Sequence, residues 1–282
     1  MLYAHRMSLS IDAIKLKASC APVAKALSTF PVKQARLSNR TLRQFASAAE
    51  TLEELVEQIE PGEQFEAFGI LLLAKSALTT KPAALTITPK GKGSLKGLPE
   101  VGEVRFHHGD LTVNGDLTLD LNLMVTGDLK VSGTVTFDSE YACLYVGGNM
   151  SAKALSSWGK TAVTVGGALR VSDIINVVEG FVNVGSLLEA RLVLESSIGG
   201  AVSAQEKQVA HWFTQKDLFS RARPSLQKLR AILTPEVFSA KDEDEDTFSF
   251  VSRTFTRLAA NKPIWNSAKK KAPAKKKALA KK

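Results

Sequence analysis

Two adjacent histidines, His107 and His108, stand directly before Gly109, and paired imidazoles are donors that a metal ion takes readily. In an extended segment, though, neighbouring side chains point to opposite faces, so a regular strand does not offer both rings to one ion. No cysteine or carboxylate cluster nearby completes a ligand set, so no metal is expected; the plainer reading is a surface pair at the mouth of the structure that follows. Asp110, Asp116 and Asp128 each follow a glycine, which is reminiscent of calcium-binding β-rolls, yet the nonapeptide G-G-x-G-x-D is absent. These aspartates are expected to accept hydrogen bonds from turn amides or to face water. There is no phosphate loop, nucleophile elbow or dinucleotide fingerprint, and no Ser/His/Asp or Cys/His set stands out. The expectation is a non-catalytic protein without a cofactor.

The remaining interaction feature is a run of lysines: Lys269, Lys270, Lys271, Lys275, Lys276, Lys277, Lys281 and Lys282. Without these the net charge of +9 falls to +1, so the rest of the chain is close to neutral. Lysines interspersed with alanine and proline cannot bury a core, and the segment is expected to be a disordered tail. Such a tail binds polyanions (DNA, RNA or acidic protein) by counterion release, or serves solubility alone. No aromatic residues stand among the lysines for base stacking.

The elements that position these residues are announced by a period of two. From Leu111 to Phe137 every odd position is apolar or glycine, while the even positions are Thr, Asn, Asp, Lys or Ser except at Met124. That alternation marks strands with one buried face. A five-residue word recurs: Val113-Asn-Gly-Asp-Leu117, Val125-Thr-Gly-Asp-Leu129, Val146-Gly-Gly-Asn-Met150 and Val165-Gly-Gly-Ala-Leu169. Weaker copies are centred on Ser186 and Gly200. Between Gly109 and Gly133 a finer step of six appears. We read Gly115, Gly127, Gly148, Gly167 and Gly200 as corners of a single-stranded β-solenoid, where φ > 0 or close backbone approach is needed. The competing reading is an antiparallel meander with Asn114-Gly115 as a type I′ turn.

These Gly-Asp-Leu and Gly-Gly words resemble the bactofilins, bacterial proteins whose short β-helix stacks end to end into filaments, and a loose set of polymer-forming-like or immunity-like proteins. The resemblance covers the central third of the chain. It implies a scaffold that binds a protein partner or copies of itself, and its immunity-like branch implies binding of a toxin. Hexapeptide acyltransferases share the step of six but want a small residue where this chain has Leu117, Leu129, Met150, Leu169 and Leu188.

The flanks read as helical. Residues 38–60 carry an apolar stripe that closes at Pro61-Gly62, a second helix is expected over about 63–77, and a connector over 79–97 holds a short strand at Ala84 to Thr88. Further helices are expected over Ala204 to Arg221 and Pro224 to Leu233, all of them serving as caps on exposed strand edges. The expected organisation is a helical region over 1–98, the solenoid over 99–204, a helical region over 205–262 and the tail over 263–282. Cys20 and Cys143 are the only cysteines, and the first residues lack a signal-like apolar run; a cytoplasmic protein with no membrane span is expected.

Overall fold

The structure is a computed structural model that describes residues 9–60, 62–89, 95, 98–196, 199–218, 224–238 and 247–266. The lysine run from Lys269 to Lys282 and the acidic stretch at 241–246 lie outside the described residues. The chain divides into two compact units, Met1–Lys216 and Asp217–Lys282.

The first unit opens with four helices. α1 (Ala13–Leu27) is capped by Asp12, whose side chain accepts from the amides of Ile14 and Lys15. The expected single helix over 38–60 is two: α2 (Asn39–Ser47), capped by Ser38, and α3 (Leu52–Val56). The break falls where Thr51 and Glu54 form a reciprocal capping box, a local start signal that outcompetes the continuing apolar stripe. α4 (Gln64–Ala77) is buried on nearly every side, as its run of Ile70 to Ala74 dictates.

Strands follow: β1 (Leu85–Ile87), β2 (Glu100–Val101), β3 (Val104–His107), β4 (Leu111–Val113), β5 (Leu117–Leu119), β6 (Asn122–Val125) and β7 (Leu129–Val131). Then come β8 (Thr134–Phe137), β9 (Cys143–Val146), β10 (Met150–Trp158), β11 (Ala162–Val165), β12 (Leu169–Val178), β13 (Phe181–Glu195) and β14 (Ala201–Phe213). All pair in parallel except β2 with β3, which makes the molecule a β-solenoid of about six turns and disposes of the meander. Each coil has three faces. The first carries β1, β4 and β7, the second β5 and β8, the third β3, β6, β9 and β11; the later strands bend across corners at register shifts such as Ala152/Ala154 and Val184/Leu187. Along the first face Leu111, Leu129, Met150, Leu169, Leu188 and Lys207 are in register, so the chain advances 18, 21, 19, 19 and 19 residues per coil. Eighteen is three faces of six, the step seen in the sequence; longer coils place the surplus at corners.

The corners explain the glycines through close backbone approach. A Cβ on Gly127 would lie 2.2 Å from Asp110 Oδ1, and one on Gly148 would lie 2.2 Å from Asp128 Oδ1. Those carboxylates accept from the next coil: Asp110 from Asp128 N (2.8 Å), Asp116 from Thr134 N (2.8 Å), Asp128 from Asn149 N (2.7 Å). The expected turn-amide role of the aspartates holds. The five glycines do not share one corner, however. Gly127, Gly148 and Gly167 stack together, Gly115 stacks under Gly133, and Gly200 sits beside Gly180 at the corner between second and third faces. The twelve residues from Gly115 to Gly127 are two faces of a coil, too few for a full turn.

The inside is a continuous aliphatic column, with Leu123, Leu144, Val163 and Val182 all at zero exposure. Fully burying each such side chain contributes about 1.5–3 kcal/mol. Both ends of the column change character. In the first coil the inward positions, in register with Leu123 and Val125, hold Arg105 and His107. Arg105 hydrogen-bonds both carboxylate oxygens of Asp120 and reaches Glu100 (3.4 Å). In the last coil Lys207 and Trp212 occupy the inward positions over Leu188 and Val193, with the Lys207 ammonium 4.5 Å from the indole centroid.

Two further expectations are corrected. Residues 204–213, read as helix, continue β14: the polar run Gln205–Gln208 favours a helix locally, but pairing with β13 overrides that propensity. The N-terminal helices do not lie over a solenoid end. They run along the third face, where their apolar residues share a second core with Val104, Phe106, Met124 and Tyr145. Glycines make room for them: Cβ atoms on Gly166 and Gly185 would meet the rings of Phe68 and Phe30 at 3.2 Å. The second unit contains α6 (Pro224–Ile232) and α7 (Thr247–Ala259), after α5 (Gln215–Leu218) at the boundary; Phe238 and Phe250 pack at 5.7 Å between centroids. No described helix is long and apolar enough to cross a membrane.

Candidate functional site

Between the helical layer and the third face lies a cleft of about 650 Å³. Its floor is a single outward ladder of the solenoid. Val104 pairs with Asn122, Asn122 Oδ1 accepts from Cys143 N at 2.9 Å, Cys143 pairs with Ala162, and Ala162 pairs with Phe181. Five successive coils therefore each supply one residue. The adjoining outward ladder, Phe106, Met124 and Tyr145, packs under the helices, so the cleft opens where that cover stops. Val56 and Ile59 wall the helical side.

The rim is charged. Glu57 and Glu60 come from the end of α3 and the turn after it, Glu103 from the β2–β3 turn, and Glu179 from the corner before β13. Among the described residues none of these four carboxylates is in an ion pair. Glu66 on α4 is held above its ordinary carboxylate range, first by burial and then by Glu63 and Glu60. Lys160 is the cation at the rim, and its ammonium lies 5.0 Å from the centroid of the Tyr141 ring.

That rim is built by surplus residues. The longest coil, Leu129 to Met150, spends its extra length on the loop after β8, which carries Tyr141. The corner of the next coil stacks on it: Trp158 Nε1 donates to Phe137 O at 2.8 Å, and a Cβ on Gly159 would come within 2.9 Å of Glu140. Tyr141 is 59% exposed and Trp158 40% exposed, whereas most large apolar residues of this unit are buried. Glu179 has φ +62°, a left-handed backbone that Gly159 adopts at the matching corner one coil earlier. A non-glycine residue there is strained.

Cys143 on the floor and Tyr145 on the adjoining ladder are titratable groups that line the cleft. Burial raises the Cys143 thiol above its ordinary value and pushes Tyr145 well above its own, the neighbouring sulfur adding to the latter. Both stay protonated at neutral pH and are hydrogen-bonded to each other, and the Cys143 thiol also lies 3.7 Å from Tyr141 O. His107 and His108 lie at another corner and are spent on the connector. His107 Nε2 is 3.0 Å from the carbonyls of Ala83 and Asp110. Gly109 N donates to Thr126 Oγ1, which is 2.9 Å from His108 Nδ1, while His108 Nε2 is 3.0 Å from Thr80 O. The two rings fasten residues 80–83 to the first coil. The corner glycines are structural, and the lysine run lies outside the described residues, so the structure brings no sequence-predicted binding residue to the cleft. Compared with known proteins, the chain matches no family model, no curated protein and no solved structure.

Proposed function

We propose that this protein is a non-catalytic β-solenoid binding module that presents the corner between its second and third faces, with the adjoining cleft, to a protein partner. The observation that carries the reading is the exposed aromatic pair Tyr141 and Trp158 on stacked corner loops beside that cleft. Aromatic side chains anchored on rigid backbone are the residues that dominate binding energy at interfaces. The opposite outward ladder offers a contrast: Thr112, Lys130, Ser151, Arg170 and Glu189 are polar, and Arg170 and Glu189 pair with each other at 3.3 Å.

End-to-end stacking, which a bactofilin resemblance implies, is the less favoured use of the solenoid. Inward-pointing charges at terminal coils are a device that natural β-proteins use against edge pairing. Arg105 at one end and Lys207 at the other are placed in that way. A lateral partner surface is compatible with both ends being shut.

The test is affinity capture with the full chain and with Tyr141→Ser and Trp158→Ser, from a lysate of the native host. A protein held by the wild type is then purified and its affinity measured against all three. Loss of about tenfold or more on each substitution supports the reading. Equal affinity for all three, or capture of nothing but nucleic acid, contradicts it.

A further inference from the structure

The shape and charge of the cleft specify what it takes. Its floor ladder runs across five coils, from Val104 to Phe181. Four inter-strand steps of about 4.8 Å make a trough of roughly 19 Å, the length of about six residues of extended chain. The bottom is apolar at Val104, Ala162 and Phe181, with the hydrogen-bonding groups of Asn122 and Cys143 between them. Carboxylates stand on both sides and at both ends: Glu103 beside the first coils, Glu179 beside the last, Glu57 and Glu60 on the helical wall.

We propose that the trough binds an extended segment of the partner protein in which basic side chains flank an apolar anchor. The anchor lies on the Ala162–Phe181 floor, and the lysine or arginine side chains reach the rim carboxylates. This rests on the protein-binding reading above and names the chemistry of the partner. Glu179 is the most specific of the contacts. Its neighbouring coil solves the same left-handed turn with Gly159, so the backbone at this corner has no need of a carboxylate. A charged side chain kept at a strained position signals use of that charge. Outside the lysine run the net charge of the chain is only +1, so attraction to a cationic peptide has to come from a local acidic site.

The experiment uses the full chain and a fluorescent, end-blocked hexapeptide, Lys-Arg-Val-Leu-Lys-Arg. The expected result is saturable anisotropy that weakens as ionic strength rises. Affinity falls about tenfold with Glu103→Gln or Glu179→Gly, and again when Val-Leu in the peptide is replaced by Ser-Ser. Bound peptide also slows alkylation of Cys143, while Cys20 is fully buried and silent in this assay. No saturable binding, or unchanged affinity for both carboxylate variants, overturns the inference. So does equal binding of the Ser-Ser peptide, which shows a merely acidic surface. If the hexapeptide fails while Tyr141→Ser still weakens the native partner, the trough inference falls and the corner reading stands.

Discussion

The middle coils and the terminal coils use the same inward positions for opposite chemistry. In the middle, Leu123, Leu144, Val163 and Val182 succeed one another without a polar atom. In the first coil the third-face ladders finish in Arg105 and His107, and in the last coil the ladders of Leu188 and Val193 finish in Lys207 and Trp212, while the third face ends in Val202. The corner at Tyr141, Trp158 and Glu179 departs from the repeat in a similar way, by inserted residues and by a carboxylate on a left-handed turn. Repeated positions thus hold the fold together, and departures from the repeat control what the fold meets. Substitutions at the two kinds of position should separate stability from association.

The largest effect is expected in the middle. Leu144→Ala removes a fully buried side chain between Leu123 and Val163, and a loss of about 2–5 kcal/mol by denaturant unfolding is predicted. A loss below 1 kcal/mol, well short of that range, would break the comparison by showing that the middle coils are loosely packed. Lys207→Leu should cost little stability and change assembly instead. It continues the aliphatic column to β14, which pairs only with β13 among the described residues. Size exclusion with light scattering, read against one chain mass of 30.4 kDa, should show a concentration-dependent shift to a larger assembly than the wild type forms; an unchanged profile would mean that Lys207 does not guard that end.

Glu179→Gly is predicted to stabilise by about 1 kcal/mol, because glycine relieves the left-handed strain at φ +62°. The same substitution weakens peptide binding, and a loss of stability instead would remove the argument that strain is retained for binding. The smallest effect is a pH dependence. Burial holds His108 below its ordinary value of 6.5, with Lys75 and His107 contributing repulsion and the Thr80 carbonyl opposing it. A depressed folded pKa means that the contribution is fully present above 6.5 and is lost as pH falls through the folded value. A shallow decline in thermal stability below that pH is expected; His211, which burial and then Arg191 also hold below 6.5, shares in it, so the decline should become smaller in His108→Gln without vanishing.

What the sequence made legible follows from where the information is local. The solenoid was readable because alternation and glycine corners repeat within a few residues of each other, as at Val125-Thr-Gly-Asp-Leu129. The aspartate role was readable for the same reason. β14 was misread because Gln205-Glu206-Lys207-Gln208 has helical preference and its strand character comes wholly from β13. α1 was not anticipated, although Asp12 and the apolar positions Leu16, Cys20, Val23 and Leu27 at helical spacing were available as signals. The cleft was invisible: Val56, Glu103, Tyr141, Ala162 and Glu179 come from five separated segments, and only the register of the coils unites them. Glu179 stands out once Gly159 is seen at the matching corner, a comparison that requires the coil length to be known first.

The most direct test of a lateral partner surface on a closed solenoid is site-specific photo-crosslinking in the full chain. A photoreactive residue replaces Tyr141 in one version and Thr112, on the polar first face, in another. The account predicts that position 141 crosslinks a distinct partner protein in the native host and that position 112 does not. Crosslinks between copies of the chain, or a partner captured equally from both positions, would contradict it.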